Sequence, residues 1–331
     1  MKTTLYSMLA AAACGIAFGQ TAYTNPVGYS STTLQPGTQL IGLTLQNATL
    51  AQGVFDTNTS TGLTDNEAAF SMISTSFYIV EMLTPSGVPG LTIEVPGSAF
   101  SATSITGLTG ITASYLGGYK IRESANFSSI FGNGSTCILK KGTSTTADLI
   151  YLPNSVGGFD TYFHTADVTV PVPIAGKWQK VGGGSSDQAN APIYYLDAMY
   201  VQVRGPSVKL TISGEVKLQS TSLPAINGFS YFGGIYPAGS SLGSSSLAST
   251  VQKGNSSTAD LIFMPNDLGG FDTFFHTANV TVPVPIAGKW QKVGGGATDQ
   301  ATAPITSGFI LQRRGASVNM PFTPPSSYSS L

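Results

Sequence analysis

The chain has 331 residues and a formal net charge of −1, and only 9 % of its residues are charged, against about 25 % in an average soluble domain. Such a chain has no basic field that could hold nucleic acid or anionic lipid. Its hydrophobic fraction of 41 %, with 10 % aromatic residues, argues against intrinsic disorder. Short runs of Val, Ile, Tyr and Thr between Gly, Pro and Asn predict strands, so the composition predicts an all-β protein.

Residues 1–19 have the pattern of a secretory signal peptide. Lys2 supplies a positive charge, residues 5–13 are a short apolar run, and small residues lead to a cleavage site after Gly19. The run is too short to span a membrane. We therefore expect a secreted or cell-surface protein, with a lipoprotein acylated at Cys14 as the less favoured alternative.

Residues 20–115 form the first predicted region, an N-terminal β region. Apolar runs at 40–43, 77–80 and 91–95 predict strands there. The tripeptide Pro-Ser-Gly and the dipeptide Pro-Gly between these runs predict turns.

The rest of the chain is dominated by an internal repeat, because residues 168–184 recur without change as residues 280–296, VTVPVPIAGKWQKVGGG. The two copies keep a constant offset of 112 residues (276 − 164 for the two histidines, 290 − 178 for the two tryptophans). A repeat of this length predicts two homologous structural units. We expect sandwich- or barrel-like β units at 116–222 and 223–317, followed by a flexible tail at 318–331.

The sequence of each unit predicts an order of strands and loops. Pro residues make 168–173 a predicted loop between strands, because proline cannot donate to a central ladder. The alternating run 135–139 predicts a further strand in which Cys137 is a small buried hydrophobe. In the first copy we expect strands at 147–152, 159–165, 177–181, 199–204 and 208–212, and in the second copy 310–315 takes the place of 199–204.

These segments resemble a known family. The succession Thr-Ala-Asp-Leu-Ile-Tyr, Gly-Phe-Asp-Thr-Tyr-Phe, Lys-Trp-Gln-Lys-Val-Gly-Gly and a strand ending Val-Arg-Gly is similar to a paralogous family of exported β-rich proteins of unknown function, expanded in Verrucomicrobia. Residues 25–29, 119–122 and 235–239 fit the same pattern. The resemblance implies export and a β fold, and it implies no site, because the family has no established activity. This chain departs from the family pattern in its two close copies and its Val-Pro-Val-Pro insertion.

The two histidines, His164 and His276, are weak candidates for a metal site. Each follows an aspartate, Asp160 or Asp272, by four residues. Four residues along a strand span about 13 Å, too far for both to bind one metal ion. A single histidine in each unit also falls short of the three or four ligands that zinc needs. We predict structural histidines and no cofactor, with a metal ion shared between the copies as the alternative.

Catalytic chemistry has little support. The other repeated carboxylates, Asp148 with Asp260 and Asp187 with Asp299, recur as single residues, which favours turn formers over a catalytic pair. Glycosidases need two facing carboxylates. We predict that the protein is not an enzyme.

Aromatic residues are the candidates for ligand binding. The only tryptophans, one in each copy, lie close to aromatic and acidic residues of the preceding strand. Flat aromatic faces with polar neighbours can hold sugar rings, whereas alternation can also bury the tryptophans as core anchors. Alternation separates Phe159, Thr161 and Phe163 from Asp160, Tyr162 and His164. The candidate ligand-binding residues are Trp178, Trp290, Tyr162, Phe274, Asp160 and Asp272.

The sequence as a whole favours an exported, non-enzymatic structural or adhesive protein of the cell surface or extracellular matrix. The alternative is a carbohydrate-binding module, and a secreted hydrolase is third. The expected partner is a second copy of the chain or a surface polysaccharide, with no nucleic acid and no membrane span. Low charge favours close assembly, because adjoining surfaces meet little repulsion.

Overall fold

The computed structural model describes residues 25–59, 61–70, 73, 76–83, 90–108, 117–166, 175–278 and 287–331. The predicted signal peptide and the predicted loop at 168–173 lie outside these residues. No helix in the described part is long and apolar enough to cross a membrane.

The all-β prediction is confirmed. The described residues form one helix, α1 (Phe127–Phe131), and the strands β1 (Val27–Leu34), β2 (Gly37–Gly42), β3 (Thr49–Val54), β4 (Thr57–Asn58), β5 (Gly62–Thr64), β6 (Phe77–Leu83), β7 (Thr92–Pro96), β8 (Ser104–Thr106), β9 (Gly118–Glu123), β10 (Ala125–Asn126), β11 (Leu149–Pro153), β12 (Phe159–His164), β13 (Trp178–Lys180), β14 (Pro192–Ile193), β15 (Ala198–Val203), β16 (Val208–Glu215), β17 (Thr221–Ala225), β18 (Gly228–Gly233), β19 (Leu261–Pro265), β20 (Phe271–His276), β21 (Trp290–Lys292), β22 (Gly308–Arg313) and β23 (Val318–Phe322).

Two five-stranded antiparallel sheets carry the repeated sequence. The first sheet has the order β13-β12-β11-β15-β2, and the second has the corresponding order β21-β20-β19-β22-β18. Their registers also correspond: Ile150 lies opposite Tyr162 in the first sheet, and Ile262 lies opposite Phe274 in the second. Each sheet is accompanied by a two-stranded ribbon, β1-β16 for the first and β17-β23 for the second.

The first unit contains a large insertion. Residues 43–148 separate β2 from β11, whereas residues 234–260 separate the corresponding strands β18 and β19. The insertion holds a four-stranded sheet, β3-β9-β6-β7, and a three-stranded sheet, β4-β5-β8. The predicted domain boundary at residue 116 stays a prediction. Strand pairing crosses that boundary, because β1 pairs with β16 and β2 pairs with β15 of the first unit.

The main hydrophobic core serves both repeated sheets, and a smaller buried cluster of Leu40, Ala198 and Ile310 also joins them. The main core contains side chains from the inner faces of each, among them Ile150, Trp178, Ile262 and Trp290. The sheets approach closely where a β-carbon added to Gly42 would lie 2.3 Å from the Cα of Gly233, so only glycine fits there. The inserted sheets have a separate core, comprising Phe55, Leu63, Phe70, Tyr78, Val80, Met82, Ile93, Val95, Ile105, Leu108, Tyr119 and Ile121.

A buried ionic cluster joins the insertion to the first ribbon. Arg122 of β9 contacts Glu81 at 2.7 Å and Glu215 of β16 at 3.2 Å, and Lys217 contacts Glu81 as well. Burial opposes ionisation of Glu81, but the charges of Lys217 and Arg122 outweigh it and lower the pKa of that carboxyl. The cluster therefore depends on all its members, since removing one leaves an opposite charge buried without compensation.

Two local predictions are wrong. Cys137 does not lie in a strand: a 3-10 turn at Gly134–Thr136, capped by the side chain of Asn133, precedes it, and Gly134 has φ +51°. This backbone breaks the alternation on which the strand prediction rested. The segment 318–331, predicted to be a flexible tail, is folded, because β23 pairs with β17 and Tyr328 packs against Tyr236 with ring centroids 5.9 Å apart.

Candidate functional site

The aromatic residues predicted to bind a ligand are core residues. Trp178 is 0 % exposed and Trp290 3 % exposed, and Tyr162 and Phe274 are buried beside them. Trp178 stacks on Phe127 with ring centroids 4.9 Å apart. Stacking on a sugar ring needs an open aromatic face, and none of these four residues has one. This geometry does not support their predicted role and agrees with the core alternative for the tryptophans.

The two candidate aspartates serve the hairpins. Asp160 contacts Lys180 at 2.5 Å, and Asp272 contacts Lys292 at 2.6 Å. The lysine hydrogen bond lowers the pKa of the Asp160 carboxyl, and Asn154 donates a second hydrogen bond to it. A carboxylate held ionised by its own hairpin is a poor general acid. Both aspartates therefore act as local structural anchors.

Both histidines are buried at the ends of their strands. Nδ1 of His164 donates to the carbonyl of Thr165 at 2.8 Å, and its Nε2 accepts from the backbone N–H of Gly134 at 3.1 Å. His276 makes the corresponding bond to the carbonyl of Thr277, and burial lowers its pKa. Within the described ranges, no group of three or more His, Cys, Asp or Glu residues could hold a metal ion.

The repeated aspartates Asp148 and Asp260 are also structural. Asp148 accepts hydrogen bonds from the backbone N–H groups of Lys140 and Arg204. Asp260 accepts the corresponding bonds and also pairs with Arg313 at 2.9 Å. Each carboxylate ties the loop before its sheet to the residue that follows β15 or β22, which explains why both copies carry it.

Asp197 is a titratable group that sequence reasoning missed. Burial, and then the nearby charge of Glu94, raise its pKa from 3.8 to about 7. Burial also raises the pKa of Glu94, whose carboxylate accepts a hydrogen bond from Ser124. Raised carboxyl pKa values occur at catalytic sites but also in structural clusters. Both residues are half-buried, and we assign them a structural role.

The outer faces of the two repeated sheets present a different set of aromatic residues. Alternation places them on the side of each strand opposite the tryptophan core. Phe159 lies beside Asp160 in sequence but points away from the core, as Phe271 does beside Asp272. We call this surface the aromatic face and define it as Phe159, Tyr200, Phe229, Tyr231, Phe263 and Phe271.

The aromatic face is continuous between the sheets. Phe159 of the first sheet lies 4.9 Å from Tyr231 of the second and 5.6 Å from Tyr200, measured between ring centroids. Phe229 lies 6.3 Å from Phe263 in the same measure. Phe229 is 50 % exposed and Phe271 38 % exposed. Exposed aromatic residues supported by packed neighbours are typical of a contact surface.

The chemistry of this face is neutral. The outward positions of both sheets carry no Asp, Glu, Lys or Arg, as the pairing shows for Thr38, Leu40, Tyr151, Thr161, Tyr200, Gln202, Phe229, Tyr231, Phe263, Phe271, Thr273, Ile310 and Gln312. Beside the rings, the hydroxyl of Tyr151 donates to Oε1 of Gln202 at 3.1 Å. The face can therefore offer apolar ring surface together with uncharged donors and acceptors.

Alternation alone could have found Phe159 and Phe271, since it separates them from the core-facing residues of the same strands. The sequence contains no signal that places Tyr231 beside Phe159, because their contact joins different sheets. Comparison of the chain with protein-family models, with curated proteins and with solved structures finds no match in any of the three.

Proposed function

We propose that the protein is a non-enzymatic adhesive or structural protein of the cell exterior that holds its target by the aromatic face. The carrying observation is that this face is aromatic, uncharged and continuous over both repeated sheets. The signal-peptide pattern and the family resemblance support export. The assignment of the repeated carboxylates to hairpins and loops supports a binding role over a hydrolytic one.

The energetics of such a face are adequate for adhesion. Covering an exposed phenylalanine contributes roughly 1.5–3 kcal/mol when its burial is complete. Phe229 and Phe271 are partly exposed, so each contributes a fraction of that on contact. The packed rings of Phe159, Tyr200 and Tyr231 hold the face in shape, which limits the entropy lost on binding.

Carbohydrate binding is the second candidate, and the Tyr151–Gln202 pair favours it. A sugar ring needs a flat apolar surface for its C–H face and uncharged hydrogen-bonding groups for its hydroxyls. The aromatic face has both within one sheet, since Tyr151 lies opposite Tyr200 and Gln202 lies two residues further along the strand. A neutral surface polysaccharide is therefore the target class that fits best.

The test is binding of the full chain to immobilised neutral and acidic polysaccharides and to whole cell envelopes. We expect Phe229→Ser combined with Phe271→Ser to weaken binding by about tenfold or more. Leu50→Ser is the matched control, because Leu50 is 58 % exposed and lies in the inserted sheets, away from the aromatic face. Circular dichroism checks that the variants are folded.

Three results are distinguishable. Binding to neutral polysaccharide that only the double variant loses supports the carbohydrate reading. Binding to envelopes alone, again lost in the double variant, supports adhesion through a target other than sugar. Binding that the double variant keeps, or that Leu50→Ser loses equally, refutes the assignment of function to the aromatic face.

A further inference from the structure

The first ribbon ends in an open strand edge. β1 pairs with β16 over its whole length, from Val27 opposite Glu215 to Leu34 opposite Val208. Among the described residues no other strand pairs with β1. A strand with one free edge presents a row of backbone N–H and C=O groups to solvent.

Three hydrogen bonds identify which backbone groups of β1 face outward. The N–H and C=O of Glu215 both bond to Gln46, on the side of β16 away from β1, and the N–H of Val216 bonds to the carbonyl of Pro26. Because neighbouring residues of a strand point to opposite sides, Gly28, Ser30, Thr32 and Leu34 point to β16. The outward backbone groups therefore belong to Val27, Tyr29, Ser31 and Thr33, and none of them bonds to another described residue.

The second ribbon shows how the same edge is treated in the other unit. There the N–H of Ser222 and the carbonyl of Ser220, on the outer edge of β17, bond to the backbone of Gly90. Two positions further along β17 stands Pro224, which has no N–H to present. Counting back from Gly37 and Gly228, which both begin the next strand with positive φ, Ser222 corresponds to Ser31 and Pro224 to Thr33. The edge of β17 is thus partly covered and partly blocked.

Among the described residues, β1 has neither of these protections. Proteins ordinarily guard an edge with proline, with charge, with a bulge or with a covering segment. The eight residues of β1, VGYSSTTL, include no proline and no charge, and their pairing with β16 runs without a register shift. Val27 is 74 % exposed and Tyr29 79 % exposed, so the edge also carries apolar surface. Such a strand is a template for adding another strand.

We propose that β1 pairs antiparallel with β1 of a second copy of this chain, forming a continuous four-stranded sheet across a two-fold axis. An antiparallel edge is its own complement, because the same outward groups donate and accept on both sides of the axis. The absence of charge from all eight residues means that two copies meet without repulsion. The proposal is independent of the adhesive function, since it uses neither the aromatic face nor its ligand.

The second unit supplies the variant that tests the proposal. Thr33→Pro gives β1 the residue that β17 carries at the corresponding position, and it removes an outward N–H that β16 does not use. Thr33→Ala is the matched control, because it changes the side chain and keeps the N–H. Tyr29→Lys is a second test variant, which places a charge on the edge and keeps every backbone group.

The measurement is sedimentation equilibrium of the full chain over a range of concentrations, with hydrogen exchange of the β1 amides. We expect a dimer for the wild type and for Thr33→Ala, and a dissociation constant raised by at least about tenfold in Thr33→Pro and Tyr29→Lys. Exchange at Tyr29 and Ser31 should be slowed in the dimer and restored in those two variants.

Several results would overturn the proposal. A wild type that stays monomeric at every concentration would do so, as would a dimer that both test variants leave unchanged. Slow exchange at Tyr29 and Ser31 in a monomer would place another segment of the same chain on the edge. Circular dichroism and thermal unfolding establish that the variants keep the fold.

Discussion

Replacing Trp178 with phenylalanine should destabilise the protein more than the same replacement of Trp290. The two residues occupy corresponding places, each with a histidine ring edge-on at an interplanar angle of 82° and a centroid distance of 5.3 Å for Trp178 and 5.1 Å for Trp290. The volume lost on substitution is therefore similar. The difference lies in the indole N–H. Nε1 of Trp178 donates to the carbonyl of Gly132 at 2.8 Å, whereas Nε1 of Trp290 is buried and has no hydrogen-bond partner in the described part of the chain.

The expected difference in the free energy of unfolding follows from the bonded indole N–H of Trp178 and the unbonded indole N–H of Trp290. Trp178→Phe removes a hydrogen bond and leaves the Gly132 carbonyl without its donor, while Trp290→Phe removes a buried N–H that has no bond to lose. A net hydrogen bond contributes about 0.5–1.5 kcal/mol, and an unsatisfied buried group costs about 1–3 kcal/mol. We therefore expect Trp178→Phe to lower the free energy of unfolding by about 1–3 kcal/mol more than Trp290→Phe.

Urea unfolding of both variants measures this difference. Far-UV circular dichroism follows the whole chain, and the single tryptophan left in each variant reports on the other repeat by fluorescence. Coincident transitions from the two probes are needed before the free energies are compared. Equal destabilisation, or a larger loss in Trp290→Phe, would refute the argument that the hydrogen bond to Gly132 separates the two copies energetically.

Three further changes have expected outcomes. Asp197→Asn should raise the free energy of unfolding by up to about 4 kcal/mol above pH ~7 and by little below pH ~4, because a carboxyl pKa raised from 3.8 to about 7 withdraws stability as pH rises through that window; urea unfolding at both ends checks the sign. Lys217→Met removes one of the two cations that compensate the buried Glu81 carboxylate, and it should lower the free energy of unfolding by about 3–5 kcal/mol. The double variant with Glu81→Gln should recover part of that loss in the same assay. Gly42→Ala drives a β-carbon to 2.3 Å from the Cα of Gly233 and should cost about 3 kcal/mol, measured as a lowered Tm, and an unchanged Tm would contradict the close approach of the sheets.

Local alternation in the sequence was sufficient to predict most strands of the repeats. The run at 159–165 is β12 (Phe159–His164), and the run at 177–181 contains β13 (Trp178–Lys180). Both runs follow a glycine, Gly158 or Gly176, and carry aromatic residues, a pattern typical of short strands. The same reasoning failed at Cys137, where the capped turn after Asn133 interrupts the alternation.

The sequence by itself determined the all-β class, the internal sequence repeat and the two alternating sets of residues on each strand. Only the tertiary structure decided which set is buried, because burial depends on the element that packs opposite. Phe127 of helix α1 covers the side of β12 that carries Tyr162, with ring centroids 4.5 Å apart, and Phe159 lies on the opposite side, on the aromatic face. Tertiary structure likewise decided that β1 and β2 complete the first unit across a long insertion, since strand pairing between distant segments leaves no local trace. The ligand-binding candidates predicted from the sequence thus lie on the inner side of their strands, opposite the aromatic face.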